Sequence, residues 1–385
     1  EARITRAEND LRIVNDDAHF TCAQTAMFKE LMAWCGDECR AHSADEKSHL
    51  VVGEAGVVSR FHQNQNITPS ALIVGRFDHD YKYSKYLISL SGFMELDTPD
   101  VHQEYTCPFT SRTRVKTASS GPSHLILRSV MFDKTDLHNA VKDFEELLTK
   151  TAKEGRPVPP VVGLIVDGGS TYLTSREATV LLFGRLFRDF ELEGLILARR
   201  SKGLSAYNDI ERLWAKISKS LAGVVCSAVA PGDEKPPCDM NLPPSEREAK
   251  ESVVFDTAIE EVENILNADL SYNGYPIEAR TVTANMSRKY QAGRSNDHDM
   301  LVNLTHQSVE DEEMKPLVDE WRELVRHVDF RLHAVVYTPC DDPKCKWAQC
   351  TRRTPLAPRW ARVRALFGGT VPSPSPSHSH AGHYL

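Results

Sequence analysis

Apolar residues recur along this chain with two different periods, and the changes between them divide it. Residues 1 to about 40 carry a helical period: in CAQTAMFKELMAWC, Ala26, Phe28, Leu31 and Met32 fall at near-helical intervals before GDEC breaks the pattern. From 41 to 130 the apolar runs are short and β-branched or aromatic: HLVVG, ALIVGRF, YLISLSGFMEL and HLILRSVMF, separated by Gly, Pro, Asn and Asp. Such runs predict strands, and a sheet with antiparallel members.

Beyond 130 the register changes. DLHNAVKDFEELLTKTAKEG has helical spacing and a Gly stop, and VVGLIV follows as a continuous apolar run, the mark of a strand buried on both faces. REATVLLFGRLFRDF predicts a helix, LEGLILA a strand and NDIERLWAKISKSLAGV another helix. Strand, helix, strand, helix implies parallel pairing with crossover helices. Residues 226–250, rich in Pro and charge, read as a linker or insertion. Helices resume at 251–268 and 311–328, within a helical C-terminal region spanning 251–355. The segment 356–385, ending in GGTVPSPSPSHSHAGHYL, has too few apolar groups to pack and reads as a disordered tail. The expected class is α/β, a mixed sheet flanked by helices with a helical C-terminal extension and no internal repeat.

Composition narrows the function. The chain has 385 residues, 41% of them hydrophobic, enough to bury a full core. No run approaches a membrane span and the start lacks a signal peptide, so a soluble intracellular protein with no membrane partner is expected. A first residue of Glu rather than Met hints at truncation and leaves room for an upstream domain. Nine cysteines, an odd number spread over a long chain, do not make a secreted disulfide framework. A net charge of −8 excludes nucleic-acid coating by overall charge and leaves that work to local basic patches.

Acids stand at the ends of several predicted elements. Asp167 follows VVGLIV and precedes a Gly-Gly turn, at a strand end that borders the ligand crevice in open α/β sheets; Asp-Gly is also ordinary turn chemistry. Asp45 and Glu46 lie beside the strand HLVVG. Glu211 lies three residues after Asn208, the spacing of a capping box. On a helical wheel Ile210, Leu213, Trp214, Ile217 and Leu221 form an apolar face, and Arg212, Lys216 and Lys219 a basic one. Glu211 heads a strip of small side chains, Ala215, Ser218 and Ala222, where a surface could approach closely. Cap and metal ligand are both open for it.

VDGGS followed by helix, strand and NDIERLWAKISKSL resembles the second and third acidic motifs of DDE transposases with an RNase H-like core. The form N-x-I-E-x-L-W-x-x-x-K is similar to the end of the mariner-like catalytic domain, and SADEKSHLVVGEAG, DHDY and DDPKCKWAQC resemble segments of transposase-derived eukaryotic proteins. The interval from second to third acid is longer than in mariner, and Asp209 stands where Pro usually follows the Asn. The resemblance implies an RNase H-like catalytic core over 41–225. It assigns Asp45, Asp167 and Glu211 as catalytic ligands of Mg2+ (or Mn2+), on a central strand, a neighbouring parallel strand and the following helix. Asp78 and Asp80 are the rivals for the first acid. Asp45 is preferred because such cores place the first acid on the first strand and leave two more strands before the first helix.

Phosphodiester cleavage needs charge neutralised on the attacking and leaving oxygens together, which paired divalent cations can do. The implied activity is DNA nicking and strand transfer. A domesticated transposase-derived DNA-binding or interaction protein without recombination activity is the alternative, and an RNase H-like nuclease a third. Arg199, Arg200 and Lys202 after LEGLILA join Arg212, Lys216 and Lys219 as candidate phosphate contacts. DNA is the expected partner, a homodimer the expected assembly, and the nucleus the expected location. Cys340, Cys345 and Cys350, with His333 upstream, form a candidate Zn2+ site or a set of unligated thiols. Cys22, Cys35 and Cys39 make a weaker cluster.

Overall fold

The computed structural model describes residues 17–53, 86–97, 104–106, 113–115, 117–286 except 134, 170, 202, 203, 205, 206 and 269, and 312–345 except 313, 332, 341 and 343. Its centre is a nine-stranded mixed sheet. Strand β1 (Cys39–Val51) lies in the middle, antiparallel to β2 (Leu87–Glu95), which is antiparallel to β5 (Ser123–Ser129). On its other side β1 runs parallel to β6 (Val161–Val166), and β6 parallel to β7 (Gly194–Arg199). The order continues outward to β9 (Tyr275–Val282) and β8 (Ser271–Tyr272) beyond β5, and to β11 (Ala334–Tyr337) and β10 (Val328–Arg331) beyond β7. A separate ribbon pairs β3 (Glu104–Thr106) with β4 (Thr113–Val115).

Helices cover both faces. Phe28 and Leu31 of α1 (Ala18–Cys35), Leu213 and Ile217 of α4 (Ile210–Ser220), and Phe255 and Ile259 of α5 (Pro244–Asn267) pack on one face with Ile88, Leu90 and Ile165. Phe144 and Leu148 of α2 (Leu137–Lys153), Phe183 and Phe187 of α3 (Glu177–Asp189), and Leu317 of α6 (Lys315–Leu324) pack on the other with Val162, Leu164 and Leu197. Cover on both faces is why all six residues of VVGLIV are buried, and why the parallel strands read as unbroken apolar runs. The α2 start matches its sequence, since the Asp136 side chain accepts from Asn139 N at 3.0 Å. Beneath α2, fully buried Arg128 of β5 meets Asp143 at 2.8 Å and Asp133 at 3.3 Å.

The fold is therefore mixed α/β with a mixed sheet flanked by helices, as the sequence patterns predict. Three expectations need correction. The C-terminal extension is not only helical, because β8 to β11 lengthen both ends of the same sheet. The 226–250 segment is not wholly a linker: α5 begins at Pro244, and Cys238 N donates to Tyr86 Oη at 3.2 Å. The strand beside Asp45 starts at Cys39 rather than at His49, so Asp45 sits within β1. The expected strand at 71–77 and the tail at 356–385 lie outside the described residues. Among the described residues no helix is long and apolar enough to cross a membrane.

Candidate active site

Strand register brings the first two acids together. The parallel ladder pairs Ser43 with Ile165 and Ala44 with Val166, so Asp45 and Asp167 are the next residues along on neighbouring strands. Asp167 opens the turn after β6, where its Oδ1 accepts from Gly169 N at 2.8 Å. Successive side chains of a strand face opposite ways. His42 meets Phe144 of α2, and Glu46 accepts from Thr171 Oγ1 at 3.1 Å, while Ser43, Asp45 and Lys47 face α4.

That polar row seats α4 and with it the third acid. Ser43 Oγ donates to Asn208 Oδ1 at 2.6 Å, Asn208 Nδ2 donates to the Ala44 carbonyl at 3.0 Å, and Ile210 N donates to Ser43 Oγ at 3.2 Å. The helix start is thus capped by a side chain of β1. The reading of Asn208 as a side-chain cap is corrected: Asp209 holds the N-cap position, and the Asn208 amide is committed to the strand. Asp209 is itself paired with Lys29 of α1 at 2.8 Å, and Lys47 Nζ donates to Ser218 Oγ at 2.6 Å. Glu211 falls in the first turn of the helix so anchored.

Opposite Asp45 on β2 stands Gly92, and the Trp214 ring fills the space above it. A Cβ there would lie 2.5 Å from the indole, so only glycine admits this approach. The indole Nε1 donates to Asp45 Oδ2 at 3.3 Å, and Glu46 N donates to Asp45 Oδ1 at 2.8 Å.

The electrostatics follow. Burial, then the negative charges of Asp167 and Glu211, push the Asp45 carboxyl up to about 8, and a hydrogen bond with the Glu211 carboxyl also favours its protonated form. Glu46 is pushed up to about 7, mainly by burial, with the Asp167 charge adding to it and the bond from Thr171 opposing it. Carboxyl groups drawn from distant parts of the sequence therefore share one site and hold a proton at neutral pH. Such a site can discharge its surplus repulsion either with that proton or with a cation. Carboxylate oxygens are the donors that hard divalent cations such as Mg2+ or Mn2+ take.

The basic residues divide. Arg212, Lys216 and Lys219 are exposed along α4. Arg199 is half-buried and donates through Nη2 to the Gly168 carbonyl, bracing the turn that carries Asp167. Arg200 is buried against Cys22 and near Asp209, which removes it from any open phosphate-binding surface. Lys202, Asp78 and Asp80 lie outside the described residues.

A second cluster lies at the β10–β11 hairpin. One ligand atom each from His327, Cys340 and Cys345 fall within 4.8 Å of one another. The proposed histidine needs correction. His333 sits in the turn of the hairpin, where its Nε2 meets Asp17 Oδ2 at 2.9 Å, one strand length from the thiols. His327 is at the other end, because Val328 pairs with Tyr337 and Thr338 N donates to the His327 carbonyl at 2.9 Å. Cys350 lies outside the described residues, and Cys22 is turned to Arg200 rather than to a metal set.

Sequence reasoning missed Gly92 and His327, and it read Trp214 as part of the apolar helix face and Asn208 as a cap. Trp214 and Asn208 both stand in the motif that raised the resemblance. Compared with protein-family models, curated proteins and solved structures, the chain matches none.

Proposed function

We propose that this chain is a DDE transposase-like polynucleotidyl transferase with an RNase H-like core. Asp45, Asp167 and Glu211 would hold Mg2+ or Mn2+. The observation that carries the reading is the gathering of these carboxyls from the middle of β1, the end of β6 and the first turn of α4, where burial and then its two acidic neighbours push Asp45 up to about 8. The strand order supports it. The first acid is on the first strand, and two further strands of the same sheet, β2 and β5, precede the helix α2. That is what an RNase H-like core asks for.

Divalent cations held by the cluster would neutralise the attacking and leaving oxygens of a phosphodiester. The chain does the rest. Asp45 must give up its proton before it can serve as a ligand, and Trp214 holds its Oδ2 as that happens. Asn208 and Ser43 fix the start of α4 and so the reach of Glu211. Arg212, Lys216 and Lys219 offer exposed cations to backbone phosphates beside the site. In the first step a water oxygen bonds to phosphorus and the strand's 3′ oxygen leaves, taking a proton. The oxygen of the freed 3′ hydroxyl then bonds to phosphorus in a phosphodiester of target DNA, the target's own 3′ oxygen leaves, and the proton lost by the attacking hydroxyl passes to it.

Labelled duplex DNA and an RNA–DNA hybrid, each incubated with Mg2+ or Mn2+, test this. Nicking of DNA that disappears in Asp167→Ala and Glu211→Ala supports the reading. Cleavage of only the RNA strand would replace it with an RNase H-like nuclease. DNA binding without cleavage would replace it with a domesticated binding protein.

A further inference from the structure

The His/Cys cluster at the β10–β11 hairpin stands apart from the acids. Strand β11 runs antiparallel to β7, pairing Tyr337 with Leu195 and Ala334 with Ala198. The thiols that follow Tyr337 therefore lie toward the start of β7, whereas Asp167 and Arg199 lie at the far ends of β6 and β7. A metal here would not serve the acidic cluster.

The donor set is chemically specific. His327 Nε2 is 3.1 Å from Cys345 Sγ, and its other ring nitrogen, Nδ1, is 3.2 Å from the Thr338 carbonyl. A carbonyl acceptor at Nδ1 puts the proton on that nitrogen and leaves the Nε2 lone pair toward the thiols, the outer arrangement that orients histidine ligands of metals. Two thiolates and one imidazole select Zn2+ over Mg2+ or Mn2+, whose preferences run to oxygen.

We propose that His327, Cys340 and Cys345 bind one structural Zn2+, which ties the loop after β11 to the turn before β10 and so locks the hairpin that extends the sheet beyond β7. Binding releases the two thiol protons, and the two thiolates cancel the charge of the ion. Before it pairs with β7, a hairpin of two four-residue strands at a sheet edge has little of its own to hold it. A metal clip closing its open end supplies that constraint.

The full chain purified without chelator should carry about one zinc per molecule by mass spectrometry of the metal. Cys340→Ser and Cys345→Ser should lose it, and Asp167→Ala should keep it. Because the cysteine variants could fail to fold, the wild-type chain is also exchanged with cobalt(II). Thiolate-to-cobalt charge-transfer bands are expected, together with a fall in melting temperature when the metal is stripped. A folded wild-type chain that carries no zinc and gives no thiolate bands with cobalt would overturn the proposal. So would loss of the zinc in Asp167→Ala with the fold intact.

Discussion

The indole of Trp214 donates to the carboxyl of Asp45 across the bare backbone of Gly92, linking a residue of α4 to one of β1 at 3.3 Å. This bond joins the two elements that carry the first and third acids. Trp214→Phe keeps most of the packing and removes the donor, and should cost roughly 1–2 kcal/mol in urea unfolding. Gly92→Ala should cost roughly 1–3 kcal/mol by driving the ring away. If Gly92→Ala were neutral, the ring would not rest on that backbone.

The pH dependence of stability follows from Asp45. Its folded-state value of about 8 lies above the ordinary carboxyl value of 3.8, so between those limits the folded chain binds more protons than the unfolded one. Stability is then highest at the acidic end of this window and is lost as pH rises through it toward 8. Asp45→Asn removes the effect and should stabilise the metal-free chain by on the order of 2 kcal/mol at pH 8. Thermal unfolding of both proteins across pH 5 to about 8 checks this; parallel curves would contradict it.

The amide of Asn208 spans β1 and the start of α4 through Ser43 and Ala44. Asn208→Ala should cost on the order of 2–3 kcal/mol, since it strands buried polar groups. Because it also frees the helix start that aims Glu211, the proposed DNA nicking should fall more than stability does. Activity that merely follows the folded fraction would remove Asn208 from the site.

Arg128 is buried with Asp133 and Asp143 on the face away from α4. Arg128→Met takes the Arg128 cation from both buried carboxyls, leaving Asp143 with Arg280 at 2.9 Å, and should cost about 3 kcal/mol. The loss should shrink in acid, where Asp143, its carboxyl already raised by burial, takes up a proton. A loss independent of pH would point to packing alone.

Much of this arrangement was legible from the residues. VVGLIV and LEGLILA announced parallel strands because burial on both faces leaves no polar alternation to blur them. Asp167 stood out at the end of one such run. β1 was harder to read, because Ser43, Asp45 and Lys47 turn polar groups toward a helix and leave no apolar alternation over Arg40–Lys47. The β8–β9 hairpin had a signal that went unused, the Asn273-Gly274 pair whose positive φ values of 52° and 86° suit a tight turn. His327 had none. It joins Cys340 only through the pairing of β10 with β11, and its distance from the thiols in sequence favoured His333 instead.

Titration with Mn2+, followed by the loss of the free-ion magnetic resonance signal, tests most directly whether the three carboxyls form one cation site. Mn2+ prefers oxygen donors and so bypasses the thiol cluster. The wild-type chain should bind it saturably, more tightly as pH rises toward 8 and Asp45 sheds its proton. Asp45→Asn, Asp167→Asn and Glu211→Gln should each weaken binding by at least about tenfold. An affinity unchanged in folded Asp167→Asn, or no saturable binding by the wild-type chain, would contradict the account.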